Sequence, residues 1–100
     1  MTLDEEFRQA LLRCFKEQRE RGLCNPARME ALTEKYGAAD AVRGLIAKGR
    51  TSDGFEALQA AGRLELSPEA LVTGRKFGAL FTDEEADFCL QALLDAGYYG

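Results

Sequence analysis

The sequence predicts an all-α protein, a compact bundle of five to six short helices forming a single domain over residues 1–100. Three observations carry that expectation. Apolar residues recur at spacings of three and four along nearly the whole chain, which gathers them on one face of a helix. Glycines and capping residues cut this pattern into pieces of ordinary helical length. No segment alternates apolar with polar residues and no Asn-Gly turn appears, so no strand competes. Hydrophobic residues make up 46% of the 100 positions, enough for one core and not for two.

The first helix is expected over about 3–21, where Leu3, Phe7, Ala10, Leu11, Cys14 and Phe15 form one stripe. Asp4, Glu5 and Glu6 open it and Arg19 and Arg21 close it, the order that suits the helix dipole. Gly22 is its stop. Asn25-Pro26 reads as a cap with proline at the first helical position, starting a second helix over 26–36 with Met29, Leu32 and Tyr36 on one side. A third helix follows Gly37, from Ala38 to Lys48, with Ala41, Val42, Leu45 and Ile46 inward and Gly49 as its stop. A continuous helix through Gly37 is the alternative, since an internal glycine costs only about 1 kcal/mol.

Asp53 and Glu56 have capping-box spacing before a short fourth helix over 54–61 that carries Phe55 and Leu58 and ends at Gly62. Arg63 to Leu66 reads as an extended link. Ser67-Pro68-Glu69 opens a fifth helix with Leu71 and Val72, failing near Gly74; residues 75–80 read as either a further turn of helix or a loop that packs Phe77 and Leu80. Thr82-Asp83-Glu84-Glu85 is the best start signal in the chain, with Phe81 placed to staple onto Ala86. The sixth helix is expected over 83–96, with Ala86, Cys89, Leu90 and Leu93 inward and Gly97 as its end. The core is expected to close around Phe7, Leu11, Leu32, Leu45, Phe55, Leu58, Leu71, Phe81, Leu90 and Leu93.

Charge narrows the function. The net charge is −4, unevenly placed: residues 1–50 hold ten Lys/Arg against eight Asp/Glu, giving +2, and residues 51–100 hold three against nine, giving −6. An acidic half opposes general phosphate binding, which draws its affinity from Lys and Arg. It suits a partner with a basic face. The opening MTLDEEF is acidic and lacks an apolar run, and no stretch approaches the roughly twenty apolar residues of a membrane span. With three cysteines and no CxxC pair, a reduced, cytoplasmic setting is expected.

Chemistry-bearing patterns are weak. With no histidine, neither a Ser-His nor a Cys-His pair can form, and three separated cysteines do not make a zinc set. No catalytic residue, metal or cofactor is expected, and the chain is read as a non-enzyme. Cys14 and Cys89 fall on apolar stripes; Cys24, in a turn, is the one thiol that invites a reactivity test. Glu84, Glu85 and Asp87 read as a solvated helix start rather than an acid–base pair, as do Asp4, Glu5 and Glu6. The loop Lys48-Gly49-Arg50-Thr51-Ser52 is a candidate anion site at the start of the fourth helix. The fourth and fifth helices have the outline of a helix-turn-helix. Their link is about six residues rather than three or four, and Glu69 stands where a base reader belongs, so a bundle corner is the better reading.

The runs GFEALQAAGRLELSPEALV and LFTDEEADFCLQALLDAGY together resemble small helical proteins of bacteria and their phages or mobile elements. The resemblance covers about the last half of the chain and rests on caps and core positions. It implies a fold and no catalytic or binding residue. Such proteins often block host defence or nucleic-acid machinery by docking on a partner's basic surface, in the anti-CRISPR-like manner.

The expected function is therefore that of a protein-binding module, a small acidic inhibitor or adaptor. Its contact face would combine Glu65, Glu69, Asp83, Glu84 and Asp87 with the Tyr98-Tyr99 tail, since tyrosine buries much area at low entropy cost. The tail could equally meet a second copy, as in a homodimer. The alternative is a nucleic-acid-binding regulator that uses Arg43, Lys48, Arg50, Arg75 and Lys76 as a local basic strip.

Overall fold

The computed structural model describes residues 2–98; Tyr99 lies outside them. Six α-helices follow one another: α1 (Leu3–Glu20), α2 (Ala27–Tyr36), α3 (Ala38–Ala47), α4 (Phe55–Ala61), α5 (Pro68–Val72) and α6 (Asp83–Asp95). Two short 3₁₀ turns, Leu64–Leu66 and Gly78–Leu80, stand before α5 and α6. There is no strand among the described residues, and the radius of gyration is 12.3 Å. The fold is an all-α compact bundle.

Helix ends follow the local chemistry closely. The Thr2 hydroxyl accepts from the Glu5 amide at 3.2 Å to start α1. The ends of α1, α3, α4 and α6 share one closure, in which the residue after a left-handed glycine donates back across the last turn: Leu23 to Gln18, Arg50 to Leu45, Arg63 to Leu58 and Tyr98 to Leu93. Gly37, at φ 91°, breaks α2 from α3, so the continuous alternative does not occur.

Three expectations about these ends are corrected. Pro26 is itself the cap of α2, and Asn25 Oδ1 accepts from the Ala27 amide at 3.1 Å, so the helix starts at Ala27. Asp53 does not cap α4; Gly54 precedes that helix with no side-chain cap bond, and Asp53 instead pairs with Arg28 at 3.5 Å. The Arg63–Leu66 link is not extended. It winds into the Leu64–Leu66 turn, closed by the Leu66 amide donating to the Arg63 carbonyl and the Ser67 amide to the Leu64 carbonyl, with both leucines buried.

The core has two centres. The larger gathers Phe7, Leu11 and Phe15 of α1 with Met29, Val42, Leu45, Val72 and Cys89. Phe77 and Phe81 pack edge-on against Phe7, with ring centroids 5.2 and 5.4 Å away. The stretch 75–80 is thus a loop and 3₁₀ turn that delivers Phe77 to the core. The smaller centre joins Phe55 and Leu58 of α4 to Leu64, Leu66 and Leu93. Gln18, fully buried, links α1 to the 3₁₀ turn by donating from Nε2 to the Leu66 carbonyl at 2.8 Å and accepting from the Cys24 thiol at 3.3 Å. Leu90 is the one expected core residue that faces outward, at 39% exposure; Leu32 and Leu71 are partly buried.

Candidate protein-binding face

The sequence of α6 sets its orientation. Thr82 Oγ1 accepts from the Glu85 amide at 3.1 Å, and Glu85 Oε1 accepts from the Thr82 amide at 2.8 Å. This reciprocal pair fixes the start of the helix. Cys89 and Leu93 are fully buried and point at α3, α5 and the Leu64–Leu66 turn. At 3.6 residues per turn, Asp83, Asp87, Leu90 and Leu94 then fall within an arc of about 60° on the outside. Leu90 and Leu94 are 39% and 47% exposed. Tyr98, pinned by its amide to the Leu93 carbonyl at 2.9 Å, continues past the end of the helix and is also exposed.

The face is acidic at one end and apolar at the other. Among the described residues, no Lys or Arg lies within ion-pair distance of Asp83, Glu84 or Asp87. Their charges are stabilised by the helix dipole and water rather than by a cation. On the other flank of α6, a groove of about 390 Å³ runs against α4 past Glu56, Gln59, Phe88 and Asp95. The structure places Asp83, Glu84 and Asp87 on α6 and Tyr98 just past its end, and adds Leu90, which the sequence pattern assigns to the core, and Leu94, which it does not single out.

Two expected members of this face are placed elsewhere. Glu65 stands on the Leu64–Leu66 turn with its carboxylate 2.8 Å from Arg63 Nε. Glu69 is corrected outright: it is only 4% exposed and cannot meet a partner. Its carboxylate accepts from the Ser52 amide at 2.6 Å and from the Ser52 hydroxyl at 2.7 Å. Burial raises its pKa, and the Ser52 hydrogen bonds oppose that rise. In the loop before α4, the Ser52 donors are taken by the protein's own Glu69 carboxyl group.

The alternative basic strip is partly consumed by structure. Arg43 is a bracket: it pairs with Asp40 at 3.0 Å and Glu85 at 3.7 Å, donates to the Leu80 carbonyl, and lies 5.2 Å from the Phe81 ring centroid. Lys76 pairs with Glu6 at 3.5 Å. Lys48, Arg50 and Arg75 are exposed. The helix-turn-helix outline also dissolves, because α5 has only five residues and buries Pro68 and Glu69 in its first turn.

The thiols are not activated. Burial pushes Cys14 up to about 11 and Cys89 up to about 12, and it raises Cys24 as well. No group of three His, Cys, Asp or Glu side chains among the described residues is placed to hold a metal ion. None of the described helices is long and apolar enough to cross a membrane. No protein family, no characterised protein and no solved structure matches the chain.

Proposed function

We propose that this chain is a non-enzymatic protein-binding module, a small acidic inhibitor or adaptor that docks the outer face of α6 on a partner surface that is basic at one end and apolar at the other. The carrying observation is the register of exposed Leu90 and Leu94 with Asp83 and Asp87, whose charges have no cation of their own. The apolar side chains at one end of the face supply affinity, and the unpaired carboxylates at the other end steer a cationic surface into place. The resemblance of the last half of the chain to small helical proteins of mobile elements supports an inhibitor of host defence as the biological setting.

The test is comparative capture from the native cell, with the wild-type chain, the variant Asp83→Lys/Asp87→Lys/Leu94→Glu, and the control Glu34→Lys on exposed α2 as baits. A protein retained by wild type and control, lost with the α6 variant and released as salt rises from about 50 to 500 mM is the expected result. An identical set of captured proteins with all three baits contradicts the assignment.

A further inference from the structure

We propose that the chain self-associates head to tail, with the α6 stripe of one copy seated in the groove between α2 and α3 of the next. The inference rests on the same reading of the α6 face. The groove has a volume of about 470 Å³, with Leu32, Tyr36, Ala41 and Leu45 among its lining. Gly44 leaves a gap in its wall: a Cβ there meets nothing within 4 Å. Leu32 and Tyr36 are four residues apart on α2, as Leu90 and Leu94 are on α6, and both pairs stand one turn, about 6 Å, apart along their helices. Two apolar knobs of that spacing fit a groove built from rows of the same spacing, the usual way in which an amphipathic helix is recognised.

Charge selects the occupant. Arg28, whose charge is shared with Asp53 at 3.5 Å, and Lys48, in no ion pair among the described residues, line the groove at the helix ends far from Gly37. The Lys35 ammonium sits 5.1 Å from the ring centroid of Tyr36, and Tyr36 is 54% exposed. The one carboxylate in the lining, Asp40, is held by Arg43 at 3.0 Å. A cationic apolar groove in the +2 half of the chain thus faces, in a second copy, an anionic apolar stripe from the −6 half. The two surfaces differ, so the contact is heterologous, each copy offering one and using the other. Self-association occupies the face proposed for partner binding, and the two compete.

Sedimentation velocity on the full chain tests this from about 5 to 500 µM at low salt and again near 0.5 M salt. The expected result is a weight-average mass that rises with concentration and falls with salt. Leu94→Glu and Lys48→Glu, both at exposed positions, should each weaken association at least about 10-fold with an unchanged circular dichroism spectrum. An equal mixture of the two variants should dimerise, because Leu94→Glu keeps an intact groove and Lys48→Glu keeps an intact stripe. A wild type that stays monomeric throughout overturns the proposal, as does a mixture of natively folded variants that fails to dimerise. A monomeric wild type that still captures its partner through α6 overturns self-association alone.

Discussion

Replacing Ser52 with alanine should cost about 2 kcal/mol of stability at pH 7, the middle of the range for a hydrogen bond to a charged group. The bond removed is the 2.7 Å contact from the Ser52 hydroxyl to Glu69 Oε1; the 2.6 Å contact from the Ser52 amide remains. No cation pairs with Glu69 among the described ion pairs, so the loss falls on a carboxylate that has few other partners. For a domain of this length, 2 kcal/mol lowers Tm by about 10 °C. The pH dependence has a definite sign. Burial raises the Glu69 pKa above the ordinary 4.5 of a glutamate, and the Ser52 hydrogen bonds oppose that rise. A carboxyl whose folded pKa is raised contributes most to stability below its unfolded pKa, and that contribution fades as pH climbs through the folded value. Without the hydroxyl the pKa rises further, so the deficit of Ser52→Ala should grow between pH 4 and 7. Below that window the carboxyl is neutral, and the deficit should shrink towards the roughly 1 kcal/mol of an uncharged hydrogen bond. Urea denaturation of both proteins at the two pH values reads the difference. A deficit under about 0.5 kcal/mol at both, or one that shrinks as pH rises, refutes the reasoning.

Phe77→Ala removes the edge-on partner of Phe7 and should destabilise by about 3–5 kcal/mol in the same urea assay, where a surface loop would lose almost nothing. Thr82→Ala removes the hydroxyl arm of the α6 cap, leaves the bond from the residue 82 amide to Glu85, and should cost about 1 kcal/mol, near 5 °C in Tm by calorimetry. Alkylation at pH 8 should leave Cys14 and Cys89 unmodified and reach Cys24 slowly, with all three reacting in urea; mass spectrometry counts the adducts, and fast labelling of either buried thiol would contradict the packing. Random duplex DNA should show no salt-sensitive anisotropy change at micromolar protein, since Arg43 and Lys76 already hold carboxylates of the fold.

The parts of this fold legible in the sequence are those set by neighbours within four or five residues. Thr82 with Glu85, Ser67, and the glycines at 22, 49, 62 and 97 all act through bonds to the adjacent turn, and each was placed by spacing alone. The fully buried run of Phe7, Leu11 and Phe15 was equally plain, because α1 is long enough for periodicity to single out one face. What could not be read depends on contacts between distant segments. Glu69 follows a proline in a helix start, where a carboxylate is ordinarily solvated. It is buried because α5 is only five residues long and turns that start toward Ser52, seventeen positions away. In α6 the apolar residues Ala86, Cys89, Leu90, Leu93 and Leu94 span too wide an arc for spacing to choose among them. Packing on α3 and α5 chooses Cys89 and Leu93 and leaves Leu90 and Leu94 in water. The candidate face was therefore half visible, through its acids, and its apolar half emerged only with the packing. The groove of Leu32, Tyr36 and Leu45 was invisible for a related reason: it forms only where α2 and α3 meet across Gly37.

The measurement that bears most directly on the central claim is the association kinetics of the captured partner with wild type, with Asp83→Asn/Glu84→Gln/Asp87→Asn, and with Leu94→Ala. If the outer face of α6 is the contact, neutralising the three acids slows association by about 10-fold at low salt and leaves dissociation nearly unchanged, while Leu94→Ala speeds dissociation and leaves association alone. Rates that are the same for all three proteins, at low and high salt, would place the contact elsewhere on the molecule.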